Sequence, residues 1–154
     1  MVAHGQMERV QFLQGRLSVM TKSGGCLCGD LRYEVTGNFD PLVYCHCSQC
    51  RKAQGVGFAA NVPVPITDFK IVWGEAVLAA YRSSIGKTRY FCGSCGSAIY
   101  SYADAALTVR IRAGTLDDGA GIVPIAHIYS GSKARWVTIT DQLLQHPERE
   151  PSRE

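Results

Sequence analysis

The amino-acid sequence predicts an all-β domain with at most one or two short helices. Most of the chain after residue 30 consists of short segments rich in β-branched and aromatic residues, separated by Gly, Pro, Asp or Ser. Only the segment 48–54, which is followed by Gly55, has the length and the ending typical of a helix. With 154 residues, 46% of them hydrophobic, the chain can bury one ordinary core. Evenly spaced short strands of this kind are typical of a sandwich or a folded sheet.

The N-terminal half is predicted to contain a tail, two short strands and a helix. Residues 1–21 show no period and no motif, and we expect an N-terminal tail there, followed by a single domain over 22–142. Residues 31–35 alternate apolar and polar side chains, which indicates a half-buried strand. Residues 42–44 form a second short strand that leads into a cysteine-rich stretch, and the helix 48–54 follows it.

The C-terminal half is predicted to be β throughout. Its strands are expected at 58–62, 69–73, 76–82, 88–91, 98–102, 107–113, 126–129 and 136–139. Pro63 and Pro65 place their segment at a sheet edge or in a loop, because proline cannot donate to a ladder. Residues 143–154 are expected to be a C-terminal tail, of which 146–154 is polar, contains two prolines and is expected to fray.

Charge and composition limit the classes of partner. The formal net charge is +3 and the charges are scattered, so neither a nucleic-acid patch nor a membrane-binding patch is expected. The chain has no apolar run of about 20 residues, so no membrane span is expected. Residues 1–20 have no continuous apolar core and no small-residue cleavage site, so we expect no secretory signal. Seven cysteines is an odd number, unlike the even count of a secreted disulfide scaffold. We therefore expect a reducing, cytoplasmic compartment.

Two cysteine pairs are spaced as metal ligands. Cys26 and Cys28 lie between glycines, and Cys92 and Cys95 form a Cys-x-x-Cys turn with glycine inside and just after it. Together they predict a closed site of four thiolates around zinc, which would be structural. The alternatives are redox dithiols or simply buried cysteines.

The remaining three cysteines, Cys45, Cys47 and Cys50, occupy six consecutive residues. Thiols this close can converge on one metal, and three protein ligands leave a fourth position for water or a substrate. These cysteines are therefore the candidate catalytic residues as well as metal ligands. The alternative is a second structural site completed by a protein side chain, with His127 as the distant option. His46 is adjacent in sequence, and such neighbours rarely reach the same metal without strain.

Other polar residues near the motifs have two interpretations each. Arg51 and Lys52 follow the triple-cysteine stretch and could offset its negative charge. His127, in an apolar run, is either a satisfied half-buried side chain or a base. Lys133 and Arg135 are either solvated loop charges or a clamp for a substrate carboxylate.

Four segments in this order resemble a known family. They are GGCLCGDLRYEV (24–35), YCHCSQCRKAQG (44–55), YFCGSCGSAIY (90–100) and HIYSGSKARWVTITD (127–141). The chain is similar over about 23–142 to the glutathione-dependent formaldehyde-activating enzyme (Gfa) family, which also includes centromere protein V. The combination of cysteine motifs carries this resemblance, and no single motif would.

The resemblance implies a folded-sheet β-tent with zinc knuckles. It implies a structural zinc on Cys26, Cys28, Cys92 and Cys95, and a zinc linked to activity on Cys45, Cys47 and Cys50. The activity it implies is that of a carbon–sulfur lyase, which condenses glutathione with formaldehyde to S-(hydroxymethyl)glutathione.

The sequence thus leads to a first hypothesis of a zinc-dependent, lyase-like enzyme acting on a thiol/carbonyl adduct. Its partner would be a small molecule, glutathione or another thiol. The alternative is a zinc-stabilised module that binds protein or nucleic acid without catalysis, although the chain lacks the basic tract and aromatic row that nucleic-acid binding would favour. A third hypothesis is a redox or metal-loss switch at the exposed sulfurs of the triple-cysteine stretch.

Overall fold

The structure, a computed structural model, describes residues 20–119 and 121–151. It contains eleven β-strands and one short α-helix, so the prediction of a mainly β fold is confirmed. The strands are β1 Thr21–Gly25, β2 Arg32–Thr36, β3 Leu42–Cys45, β4 Ala59–Pro65, β5 Phe69–Trp73, β6 Leu78–Ser84, β7 Lys87–Cys92, β8 Ala98–Ala103, β9 Thr108–Arg112, β10 Pro124–Ile128 and β11 Leu144–Gln145, and the helix α1 is Ser48–Gln54.

The strands form two sheets. The smaller sheet has the order β1-β2-β5, and the larger has the order β11-β10-β3-β4-β9-β8-β7-β6. Pairing is antiparallel except at β10, which runs parallel to both β3 and β11. A bridge between Gly24 and Leu116 links β1 to the segment that follows β9. Among the described residues, no helix is long and apolar enough to cross a membrane.

The core lies between the two sheets. Apolar side chains of β2 meet those of β4, β8 and β9 in one cluster, which includes Leu31, Tyr33, Val35, Val62, Val64, Ile99, Val109 and Ile111, each at most 1% exposed. Because side chains alternate along a strand, the residues between them point to the opposite face of the large sheet. That opposite face is polar, and the candidate site lies on it.

The helix α1 is short and firmly capped. Cys47 is its N-cap residue, and its Sγ accepts a hydrogen bond from the N–H of Cys50 at 3.3 Å. Gly55 ends the helix with φ of 64° and donates its N–H to the carbonyl of Arg51 at 2.8 Å. Glycine adopts this left-handed conformation without the steric cost of a side chain.

Two expectations for individual elements need correction. The strand predicted at 136–139 is wrong, because this segment has no regular structure and Trp136 is 74% exposed. Of the C-terminal segment expected to fray, residues 146–148 are instead held in place, since the N–H groups of Tyr129, Ser130 and Gly131 donate to the carbonyls of Glu148, His146 and Pro147.

The predicted division into a domain over 22–142 and two tails stays a prediction. Of the N-terminal tail, only residues 20 and 21 lie within the described residues, and Thr21 begins β1.

The two prolines of β4 lie where that strand has a single neighbour. β4 is central in the strand order, but its pairing with β3 covers only Ala59–Asn61. Pro63 and Pro65 pair with β9 alone. Their missing N–H groups therefore leave no gap in a ladder, which agrees with the expectation of a local edge.

Candidate metal centres and the adjoining cleft

Four sulfur atoms converge where the two sheets meet. Cys26 and Cys28 lie just after β1, Cys92 ends β7, and Cys95 lies in the turn between β7 and β8. The Sγ atoms lie within 4.8 Å of one another, with Cys26 and Cys28 at 3.5 Å and Cys28 and Cys92 at 3.8 Å. A tetrahedral zinc–sulfur site has bonds of about 2.3 Å and hence sulfurs about 3.8 Å apart. The group can therefore hold a metal ion.

Hydrogen bonds orient two of these four sulfurs. The N–H of Leu31 donates to the Sγ of Cys26 at 3.3 Å. The hydroxyl of Ser97 lies 3.3 Å from the Sγ of Cys95, and bonds from Ser97 lower the pKa of the Cys95 thiol to about 5. A lowered pKa favours the thiolate form that a metal requires.

The three remaining cysteine sulfurs form a second group. Cys45 ends β3, Cys47 caps α1, and Cys50 lies in the first turn of α1. Their Sγ atoms lie within 4.8 Å of one another, so this group can hold a metal ion as well. Cys45 and Cys50 are buried and Cys47 is partly exposed. Within residues 20–119 and 121–151, no His, Asp or Glu joins the three sulfurs as a fourth ligand.

His46 and His127, the two considered as fourth ligands, bond to each other instead. The Nε2 of His46 lies 2.8 Å from the Nδ1 of His127, and the Nε2 of His127 lies 3.1 Å from a carboxylate oxygen of Asp141. Both rings are buried. Burial first, and then the neighbouring His127, lower the pKa of His46 to about 4. His127 is therefore a satisfied buried side chain that links β10 to His46, between β3 and α1.

The three-sulfur group opens onto a cleft of about 700 Å³. Its walls carry five basic side chains, which are Lys87, Arg89, Arg110, Arg112 and Arg149. Among the described residues, no acidic side chain lines it. The strand register explains this face. Asn61 pairs with Arg112, Ser101 with Arg110, and Arg89 with Ser101, and directly paired residues project on the same side of a sheet.

Two arginines of this cleft lie close to the sulfurs. The Nη2 of Arg89 is 4.0 Å from the Sγ of Cys50, and Arg112 donates a hydrogen bond to the side-chain oxygen of Asn61. Hydrogen bonds from Cys45 and Cys47, and then the charges of Arg89 and Arg112, hold the pKa of Cys50 far below its usual range. This environment favours the thiolate form of Cys50.

Burial also shifts the pKa of the cleft cations. It lowers the pKa of Arg112 to about 10. For Lys87, burial and then the charge of Arg110 lower the pKa from its usual value of 10.5. Within the described part of the chain, neither residue forms a salt bridge. An anion bound in the cleft would stabilise the charged forms of both Lys87 and Arg112.

The basic residues singled out in the sequence lie elsewhere. Arg51 bonds to the carbonyls of His46 and Ser132, both at 3.2 Å, and Lys52 is exposed. Lys133 donates to the carbonyl of Val137 at 3.0 Å, and Arg135 is exposed outside the cleft. The charge beside the sulfurs therefore comes from Arg89 and Arg112. The sequence contains one indication of these arginines. Basic residues alternate in the segments 87–89 (KTR) and 110–112 (RIR), and such alternation places both basic side chains of a strand on one face of the sheet.

Comparisons with known proteins give a family and a similar fold. A family model described as "Glutathione-dependent formaldehyde-activating enzyme" matches residues 21–132. A crystal structure of a Rhodobacter sphaeroides protein is similar with a TM-score of 0.55 and 24% identity. The match covers 66% of this chain and 97% of that one, and at this identity it supports the fold alone.

Proposed function

The chain belongs to the glutathione-dependent formaldehyde-activating enzyme family, and from this membership we infer that it is a zinc-dependent carbon–sulfur lyase acting on a thiol/carbonyl adduct. The reaction we propose is the formation of S-(hydroxymethyl)glutathione from glutathione and formaldehyde. Cys26, Cys28, Cys92 and Cys95 would hold a structural zinc, and Cys45, Cys47 and Cys50 a zinc at the catalytic site.

The observation that carries this proposal is a three-sulfur group, without a fourth protein ligand among the described residues, at the wall of a basic cleft. Thiolate ligands suit zinc, and three of them leave one position for a substrate. When bound, zinc supplies a positive centre that lowers the pKa of a coordinated thiol. The nucleophile in thiol chemistry is the thiolate.

Basic residues of the cleft are available to bind the carboxylates of the substrate. Three thiolates and one Zn²⁺ carry a net charge of about −1, and Arg89 and Arg112 lie beside them to offset it. Lys87, Arg110 and Arg149 then remain for the carboxylates of the thiol substrate, and glutathione carries two. Charge-assisted hydrogen bonds of this kind fix both position and orientation.

The proposed bond changes are simple. The substrate sulfur forms a bond to the carbonyl carbon, the carbon–oxygen π bond becomes an alkoxide, and the proton lost from the thiol ends on that oxygen. The Nη2 of Arg89 lies 4.0 Å from the Sγ of Cys50, so we assign Arg89 the stabilisation of the developing alkoxide.

The test is ¹³C exchange NMR of formaldehyde with glutathione, with and without the zinc-loaded protein. We expect faster exchange between formaldehyde hydrate and the glutathione adduct than in the spontaneous reaction. Cys47→Ser should return exchange to the spontaneous rate, whereas Lys52→Ala, on the exposed side of α1, should not. Exchange at the spontaneous rate with the wild-type protein would overturn the formaldehyde reaction.

The alternative of a non-catalytic binding module is distinguished by a separate measurement. A gel-shift assay across salt concentrations would detect nucleic-acid binding to the cationic cleft, since phosphate contacts weaken steeply as salt rises. Salt-sensitive binding combined with no catalysed exchange would favour the module over the enzyme.

A further inference from the structure

A second cavity, of about 370 Å³, lies at the other end of α1. The first turn of α1 contributes Ser48 and Cys50 to the basic cleft, while its last turn contributes Ala53 and Gln54 to this cavity. Opposite α1, the cavity is bounded by β6, β7 and β8. This volume falls within the range of about 300–1,000 Å³ typical of small-molecule sites.

The walls of this cavity are mainly apolar and aromatic. Tyr81 on β6, Phe91 on β7 and Ala98 on β8 contribute to them. Phe91 and Ala98 are a direct cross-strand pair, so their side chains lie next to each other on one face of the sheet. Such walls suit the apolar body of a ligand rather than an inorganic anion.

Three residues that line the cavity each carry a hydrogen-bond donor without a partner among the described residues. The Nε2 of Gln54, the Nη1 of Arg89 and the Nε of Arg112 are buried and unpaired within the described residues, and all three residues line the cavity. Arg89 is 8% exposed and Arg112 is 5% exposed. A buried donor without a partner destabilises the fold, and more so when it is charged. Three such donors at one cavity indicate a place for an acceptor.

Both arginines border the two cavities at once. Arg89 directs Nη2 towards Cys50 and Arg112 bonds through Nη1 to Asn61, while a different nitrogen of each is left unpaired. A guanidinium presents several donors in a fixed plane, so one edge can serve the cleft and another can bind a second group.

We propose that this cavity binds a small aromatic carboxylate, with its carboxylate accepting hydrogen bonds from Arg89, Arg112 and Gln54 and its ring packed between Tyr81, Phe91 and Ala98. A carboxylate accepts up to four hydrogen bonds and neutralises the guanidinium charge. This site does not depend on the proposed lyase activity.

Benzoate is the probe, measured by isothermal titration calorimetry with the zinc-loaded full chain. We expect saturable binding at millimolar concentrations or below. Benzyl alcohol, which keeps the ring and loses the charge, should bind at least about tenfold more weakly. Ala98→Leu should fill the cavity and weaken benzoate binding at least about tenfold. Ala80→Leu, the same change at an exposed position of β6 outside the cavity, should bind as the wild type does.

The basic cleft is the competing location for benzoate. Lys87 lines the cleft and not the second cavity, so Lys87→Ala should leave benzoate affinity unchanged. Binding that is lost in Lys87→Ala and kept in Ala98→Leu would overturn the proposal, as would the absence of saturable heat. If Ala98→Leu fails to fold, Gln54→Leu replaces it. That variant removes one donor at the end of α1, and unchanged affinity in it would count against the proposal.

Discussion

At the scale of single residues, the chemistry depends on which polar groups lack a protein partner. The three sulfurs Cys45, Cys47 and Cys50 gain no fourth ligand from the described residues, and Lys87 and Arg112 gain no salt bridge. By contrast, His46 and His127 bond to each other and His127 also bonds to Asp141, which leaves the Nδ1 of His46 as the one ring nitrogen of the pair without a partner among the described residues. The three sulfurs, Lys87 and Arg112 all line one cleft, so a ligand bound in this cleft could pair with them.

The first prediction concerns the metal content of Cys47→Ser. Cys47 is the most exposed sulfur of its group, and it is a ligand only in the three-sulfur site. We expect zinc to fall from about two ions per chain to about one, because a site with two remaining thiolates binds zinc weakly. Inductively coupled plasma mass spectrometry measures the metal, and circular dichroism checks that the fold is retained. Unfolding of this variant would instead support a closed structural site.

The second prediction concerns Lys87 and pH. Lys87→Ala should raise the KM for an anionic thiol about tenfold with little change in kcat, because a buried cation that pairs with the substrate is lost. Lys87→Arg should keep the charge. Lys52→Ala, exposed on α1, is the matched control and should not change KM.

The pH dependence follows from the lowered pKa of Lys87. Only the protonated amine attracts a carboxylate, and burial and Arg110 cause it to lose its proton below its usual 10.5. The affinity of the wild type for S-methylglutathione should therefore decline as pH rises through this lowered pKa. Lys87→Arg should decline less, since arginine stays charged. Calorimetry from neutral to alkaline pH measures both, and parallel declines would show that Lys87 is not the titrating group.

The sequence identified some of these residues and missed others for a physical reason. The cysteines were predictable because metal ligands have fixed short spacings and flanking glycines. Arg89 and Arg112 were not, because their position beside Cys50 depends on the register between β7, β8, β9 and β4, which local sequence does not determine. The contact of His46 with His127 spans 81 positions and was missed likewise.

At the scale of elements, the predictions were most accurate where local signals act alone. The helix was predicted at 48–54, which are its bounds, because Gly55 marks its end. β5 was also predicted at its observed bounds, Phe69–Trp73. β11 was missed because two residues carry no strand pattern of their own. Its cause is the free edge of β10, where the carbonyl of His127 accepts from the N–H of His146. Just after β10, the N–H groups of Tyr129 and Ser130 donate to the carbonyls of Glu148 and His146.

The third prediction compares two turn glycines with the same backbone conformation. Gly74, after β5, and Gly86, between β6 and β7, both have φ of 76°. A Cβ at Gly74 would lie 1.7 Å from the carbonyl oxygen of Asp30, whereas a Cβ at Gly86 meets nothing within 4 Å. Gly86→Ala should cost only the left-handed penalty, about 1 kcal/mol.

Gly74→Ala should cost at least about 3 kcal/mol, because the backbone of residues 30 and 31 must also move. Urea unfolding of the zinc-loaded protein measures the free energy of both variants. Equal losses would mean that the contact between the Gly74 turn and the β1–β2 loop contributes nothing to stability.

At the scale of the whole molecule, the four-sulfur group joins the two sheets. Cys26 and Cys28 follow a strand of the small sheet, and Cys92 and Cys95 belong to a hairpin of the large sheet. Cys28 and Cys92 are 64 positions apart in sequence, so a shared metal closes a long loop. The three-sulfur group, by contrast, lies within one segment of six residues and closes almost none.

The last prediction follows from this difference. A metal that is bound only in the folded state contributes its binding free energy to folding. Removing a ligand from the four-sulfur site should therefore destabilise the whole protein. We expect Cys92→Ser to lower Tm by about 10 °C or more, since each kcal/mol shifts the Tm of a domain this size by about 2–4 °C. Cys47→Ser should lower it by a few degrees at most.

Chelator titration tests the same difference without a mutation. The metal at the three-sulfur site should leave first, because it is open and local, and the near-ultraviolet circular dichroism of the aromatic core should persist. The second metal should leave only at higher chelator concentration and together with that signal, because its release separates the sheets. Simultaneous loss of both metals with the signal retained would show that the four-sulfur site does not hold the fold together, and the hydrophobic core between β2, β4, β8 and β9 would then be sufficient.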